Sequence, residues 1–264
     1  MSFQPVIPFG GTAGWAFLER TREAQQAAFD RSPAIQRDVE YFAENIGKVQ
    51  TAEDLVGDYR LMKVALGAFG LDDDLPNKAY IRKVLEEGSL NPDSFANRMV
   101  DKRYLALTEA FGFDLEPPNT QLSDFADSMT GRYMTRQFEI AVGEQNASMR
   151  LALSLERDLS EIVASDTSGN GRWFSVMGNE PLRRVFETAL GLPSSFAALD
   201  IDRQVEEFRD KARAVFGDGE ISQFAEPDRL EELNRLFLVR SQIAEGQSGM
   251  SSGTIALTLL QSIR

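Results

Sequence analysis

An all-α, internally duplicated fold is what this sequence predicts, and three observations carry that expectation. Apolar residues recur at spacings of three and four along most of the chain, the signature of helices with one buried face. Almost nothing alternates with period two over a strand's length. Finally, a block in the first half reappears in the second: Leu61, Val64, Ala68, Gly70 and Leu71 match Leu182, Val185, Ala189, Gly191 and Leu192 at a constant offset, to which Gly57 and Gly178 also conform. Matching residues are core-facing apolar positions and helix-ending glycines, the places that packing retains.

Taken in order, the chain opens with an apolar arm through Gly11, carrying Phe3, Val6, Ile7 and Phe9 between Pro5, Pro8 and a glycine pair. A helix follows from Thr12, with Trp15, Leu18, Ala28 and Phe29 on one face. Ser32-Pro33 reads as an N-cap with proline at the first helical position. It leads into a stripe of Ile35, Val39, Phe42, Ile46 and Val49. Thr51 and Asp54 form a capping-box pattern, with Asp where Glu or Gln is usual. The helix through Leu61, Val64 and Phe69 is expected to end at Gly70. Shorter helices are expected around Ile81–Leu85, Phe95–Met99 and Tyr104–Phe111, before Pro117-Pro118.

In the second half a long helical stretch runs from Ser123 to about Ala164, with Gly143 as a candidate break. Asp166 through Gly171 reads as a turn. Helices are expected over about 181–190, 202–216 and 227–243. The repeat is extended by pairing Phe95-Ala96 with Phe224-Ala225, and Tyr104, Leu107 and Phe111 with Leu230, Leu233 and Phe237. The expected organisation is therefore an arm and first helical repeat over 1–117 and a second repeat over 118–245. Residues 246–264 are expected to form a Gly/Ser linker and an apolar segment containing Ile255, Leu257, Leu259, Leu260 and Ile263.

Composition narrows the chemistry. The 264 residues include neither Cys nor His. Thiolate nucleophiles, disulfides, imidazole bases and the usual zinc ligand sets are excluded. A formal charge of −13 disfavours nucleic acid and anionic membranes as partners, since both require a positive field. No apolar run reaches the roughly 18–20 residues that span a bilayer, so membrane insertion is not expected. The amino terminus lacks a signal-peptide pattern, so synthesis into the cytoplasm is expected.

Candidate motifs yield no chemistry. Asp166, Ser168, Asn170 and Gly171 mimic the start of a calcium loop, but Met177 occupies the position of its bidentate carboxylate. Phe216 and Ala214 disqualify the similar stretch around Gly217–Gly219. Asp72-Asp73-Asp74 reads as a solvated acidic cluster at a helix start rather than a cation site. Gly10–Gly14 lacks the lysine and preceding strand of a phosphate loop, and Gly246–Met250 is not a nucleophile elbow. Arg82-Lys83 and Arg183-Arg184 are expected to form surface ion pairs. No catalytic, cofactor-binding or metal-ligating residue is nominated, and no cofactor is expected.

A longer run of residues carries a family resemblance. Glu44–Val49, Thr51–Val56, Asp58–Leu71, Asn77–Glu86, Ser94–Arg98 and Asp101–Tyr104 resemble an uncharacterised alphaproteobacterial family, domain of unknown function 1217, over essentially the whole chain. The resemblance implies a flagellum-linked role and no catalytic residue. A non-enzymatic structural or interaction protein of the flagellar system is therefore the leading expectation. Its alternatives are a cytoplasmic export chaperone or regulator and a carboxylate-dependent enzyme. The expected partner is a protein, a flagellar component or a second copy. The expected contact residues are Phe3, Val6, Ile7, Phe9 and Trp15 of the arm and Ile255, Leu257, Leu259, Leu260 and Ile263 of the carboxyl-terminal segment. Either tail is equally able to pack on its own body.

Overall fold

The computed structural model describes residues 3–165 and 167–249. Among these, thirteen α-helices and five short 3-10 turns are present and no strand. The all-α expectation is met. The helices are α1 (Gly11–Asp30), α2 (Pro33–Asn45), α3 (Ala52–Gly57), α4 (Tyr59–Phe69), α5 (Lys78–Glu86), α6 (Phe95–Arg98), α7 (Arg103–Phe111), α8 (Phe125–Gly143), α9 (Ala147–Ala164), α10 (Gly169–Gly178), α11 (Glu180–Leu190), α12 (Ile201–Phe216) and α13 (Pro227–Gly249). Among the described residues, one compact unit comprises 3–6 and 20–145, and the other 7–19 and 146–249.

This division corrects the expected boundary at Pro117-Pro118. Helix α8 lies beyond those prolines but packs on α2 and α4. Phe138 of α8 meets Phe29 edge-on at 5.8 Å, and Tyr133 donates to Asp38 of α2 at 3.0 Å. Prolines interrupt a helix wherever one must end; they do not mark where packing ends. The break between units falls instead where Asn146 starts α9 by accepting from the Met149 N–H. Residues 7–19, expected with the first repeat, group with the second unit.

In the first unit α4 is central. Asp58 caps its start, accepting from the N–H groups of Arg60 and Leu61. Asp58 thereby separates α4 from the short helix α3 before it. The Thr51–Asp54 capping box is formed reciprocally at the first, α3. Gly70 ends α4 with φ 69°, and the Leu71 N–H returns to the Leu66 carbonyl at 2.9 Å. That pairing is a Schellman stop, which needs a left-handed residue. Every residue from Leu61 to Phe69 except Lys63 is buried. Gly67 lets α8 come close: a Cβ there would sit 2.8 Å from the Tyr133 ring.

The second unit builds α11 the same way. Asn179 caps it, accepting from Leu182 N–H. Gly191 ends it with φ 66°, and the Leu192 N–H bonds the Glu187 carbonyl at 2.9 Å. Both expected glycine stops therefore have the required backbone. Helix α11 packs on α9 and α13 as α4 packs on α2 and α8. Around it lies an aromatic core that the helical pattern alone did not reveal. Trp173 of α10 stacks on Phe208 at 5.2 Å, meets Phe186 edge-on at 5.4 Å, and donates its indole N–H to the Gly219 carbonyl at 3.0 Å. Helix α10 itself was not anticipated. Its two early glycines disfavour a helix, but Ser168 caps it and Trp173, Val176 and Met177 bury one face.

Helix α13 packs on α11, and α8 is the helix with the most extensive packing on α4. Helix α13 continues through Gly249, so residues 246–249 are helical where a linker was expected.

Candidate partner-binding surface

The amino-terminal arm is built from prolines and glutamines. Pro5 and Pro8 hold themselves and the residues before them in extended conformations. Residues 3–8 are correspondingly free of helix or strand. An extended backbone needs partners for its N–H and C=O groups. Gln25 of α1 supplies them: its Oε1 accepts from the Val6 N–H at 2.6 Å, and its Nε2 donates to the Val6 carbonyl at 3.2 Å. The same Nε2 donates to Thr21 Oγ1 at 2.8 Å. Gln145 donates to the Pro5 carbonyl. Gln25 and Pro5 are buried beneath this contact.

Within the second unit, the chain turns into α1 at Gly11, which has φ 60° and lies against the side chain of Gln242 on α13. A Cβ on Gly14 would collide with the Phe9 carbonyl. Glycine is thus required for the first turn of α1 to pass Phe9 so closely.

With its backbone held, the arm turns two large side chains outward. Val6 is 54% and Phe9 60% exposed. Phe3, Ile7 and Trp15 are half-buried. Of the five arm residues expected to meet a partner, two are therefore presented fully and three only in part. Ile255, Leu257, Leu259, Leu260 and Ile263 lie outside the described residues.

Ordered elements present further apolar side chains that the sequence reading missed. Leu90 and Val100 are exposed between α5 and α7. Their segment is tied down by Asp114, which accepts from the N–H groups of Ser89 and Leu90 at 2.8 and 3.0 Å. Burial raises the Asp114 pKa, but those backbone donors outweigh it and hold the carboxyl below its ordinary value. On α13, Val239 and Ile243 are also exposed. The available signal was α13's apolar residues at two sets of helical spacings, one more than a single buried face requires.

The polar candidates take structural roles. Asp72 accepts from Gln137 at 2.8 Å, and Asp74 accepts from Tyr104 at 2.5 Å and from Asn77 at 2.9 Å. Burial, then the bond to Asp74, raises the Tyr104 phenol far above its ordinary pKa, so it stays a donor. In the Asp166–Gly171 stretch, Ser168 accepts from the Gly171 N–H and Asn170 from Arg209 at 2.8 Å. Among the described residues, no group of three or more His, Cys, Asp or Glu is placed to hold a metal ion. Nor is any helix there long and apolar enough to cross a membrane. Arg82 pairs with Glu86 at 3.4 Å and Lys83 with Glu87 at 3.9 Å, exposed pairs of small energetic weight. Arg183 pairs with Glu187 at 2.7 Å.

Comparison with known proteins places this architecture. The crystal structure of an Agrobacterium tumefaciens protein, a target of the Northeast Structural Genomics Consortium, matches with a TM-score of 0.72 and 25% identity, covering 91% of this chain and 99% of that one. A search of curated proteins returned no match. A family model described as "Protein of unknown function (DUF1217)" matches residues 68–230. That span is well over half of the chain, and the chain belongs to the DUF1217 family.

Proposed function

We propose that this protein is a non-enzymatic structural or interaction component of the bacterial flagellar system, acting through protein–protein contacts. The observation that carries the interaction reading is the arm. Gln25 and Gln145 fix the backbone of Pro5 and Val6 while the Val6 side chain faces solvent, and Phe9, packed by its carbonyl against Gly14, is exposed as well. A side chain held outward in advance loses little entropy when a partner covers it. The flagellar element comes from the family resemblance, and the expected partner is a flagellar component or a second copy. The two helical units are read here as products of duplication. Supporting that are α4 and α11, each eleven residues long, capped by Asp58 and Asn179 and stopped by Gly70 and Gly191.

The test is purification of the tagged full chain from its native bacterium, beside a Val6→Glu/Phe9→Glu variant. Flagellar components are expected with the wild-type chain and reduced at least about tenfold with the variant, equivalent to about 1.4 kcal/mol of contact. Equal recovery with both chains would refute the arm as the contact.

A further inference from the structure

Helix α10 opens with Gly169-Asn170-Gly171. Asn170 is the one asparagine of the chain that precedes a glycine; every other precedes a residue that carries a Cβ. The side-chain amide of an asparagine is open to attack by the backbone nitrogen of the residue after it. Glycine has no Cβ to crowd that nitrogen and the least resistance to the backbone rotation that the attack needs.

The surroundings in the second unit favour this attack at Asn170. The Gly171 N–H lies in the first turn of α10, where no preceding helix carbonyl is available to it. Its partner is instead the Ser168 hydroxyl at 3.2 Å. Gly169 and Gly171 both weaken that turn as a helix. The Asn170 side chain is exposed to water, and its Oδ1 accepts from Arg209 Nη2 at 2.8 Å. Arg209 is steadied by an ion pair with Glu220 at 2.9 Å. A guanidinium donor on Oδ1 draws charge from Cγ and stands where negative charge develops as the nitrogen adds.

We propose that Asn170 is a site of spontaneous covalent modification, gated by the first turn of α10 and activated by Arg209. The backbone at Asn170 leaves its helical turn, and the Gly171 nitrogen bonds to Asn170 Cγ. The Cγ–Nδ2 bond breaks, and ammonia departs with the proton that the Gly171 nitrogen gives up, leaving a cyclic imide. Water adds to either imide carbonyl and breaks its bond to nitrogen, giving aspartate or isoaspartate. The aspartate product places a negative charge at a helix start, where the dipole favours it, and shares Arg209 with Glu220. The isoaspartate product adds a carbon to the backbone and breaks the turn that leads into Trp173. The change is one-way, so the modified fraction records the age of the chain. This inference is independent of the flagellar reading.

Incubation of the purified full chain in mildly alkaline buffer, followed by peptide mapping with mass spectrometry, tests it. Asn170→Asp supplies the standard for the aspartate product. Asn170 is expected to convert at least about tenfold faster than any other asparagine. Ser168→Ala, an exposed change that removes the cap, should speed conversion at least about twofold. Gly171→Ala should slow it to the rate of the other asparagines, and Arg209→Met should slow it as well. Conversion of Asn170 no faster than that of the other asparagines would overturn the inference. So would wild-type rates in both Ser168→Ala and Gly171→Ala. Conversion in Arg209→Met at or above the wild-type rate would overturn the activating role of Arg209.

Discussion

Arg136 Nε donates to the carbonyl of Ala68 at 3.1 Å, two residues before the left-handed Gly70 that ends α4. Arg240 Nη1 does the same to Ala189 at 2.8 Å, two residues before Gly191. In each unit, then, the helix packed against the central one reaches across and binds the carbonyls left open at its end. A cation there also opposes the negative end of the helix dipole. Replacing either arginine with Met should cost roughly 1.5–3 kcal/mol, the range for a hydrogen bond to a charged group. Urea unfolding of each variant checks this.

The two glycine stops are coupled to these arginines. A Cβ on Gly70 would lie 2.7 Å from Arg136 Nη1, and one on Gly191 2.6 Å from Arg240 Nη1. Gly70→Ala should cost about 1–2 kcal/mol from the left-handed backbone alone, and it also displaces the guanidinium. Combined with Arg136→Met, it should therefore destabilise by less than the sum of the two. A double-mutant cycle in urea measures the shortfall.

Asp58 tests the cap and its titration together. Its carboxylate accepts from Tyr41 Oη at 2.6 Å and from two helix-start N–H groups. Burial alone would raise its pKa, but these donors outweigh it and lower the pKa in the folded chain. A depressed folded pKa adds stability above the unfolded value of about 3.9, which is lost as pH falls through the folded value. Asp58→Ala should cost about 1 kcal/mol at neutral pH. Asp58→Asn, which keeps a capping oxygen as Asn179 does, should cost less, and its deficit should shrink below about pH 4. Thermal melts across pH 3–7 decide this.

Trp173 anchors the aromatic core of the second unit. Trp173→Ala should destabilise by about 3–5 kcal/mol. Trp173→Phe keeps an aromatic ring but leaves the Gly219 carbonyl without its indole donor, so it should fall between the two. Near-ultraviolet circular dichroism and urea unfolding follow both.

The legible parts of this fold were those written in local chemistry. Gly70 and Gly191 announced their stops because a glycine after an apolar helical run has few other uses. Thr51 and Asp54 announced the capping box despite the shorter acid. Helix α10 was hidden because Trp173, Val176 and Met177 are too few to establish a period, and its glycines point the other way. That α8 is the main partner of α4 was not legible, because Tyr104, Leu107 and Phe111 of α7 share the three-and-four spacing of any amphipathic helix. Only packing distinguishes α7 from α8. At the arm, the apolar character of Val6 and Phe9 was visible, but their outward direction was not. For Val6 it depends on Gln25 and Gln145, which hold the backbone of Pro5 and Val6 and are distant polar residues with no pattern that marks them as anchors.

Swimming in soft agar tests the central claim most directly. Cells whose own copy is replaced by the Val6→Glu/Phe9→Glu chain, expressed at wild-type level and with unchanged helical content, should spread less than wild-type cells, as cells lacking the protein should. Full swimming by cells lacking the protein would contradict the flagellar role. Full swimming by the variant alone would contradict the arm as its working surface.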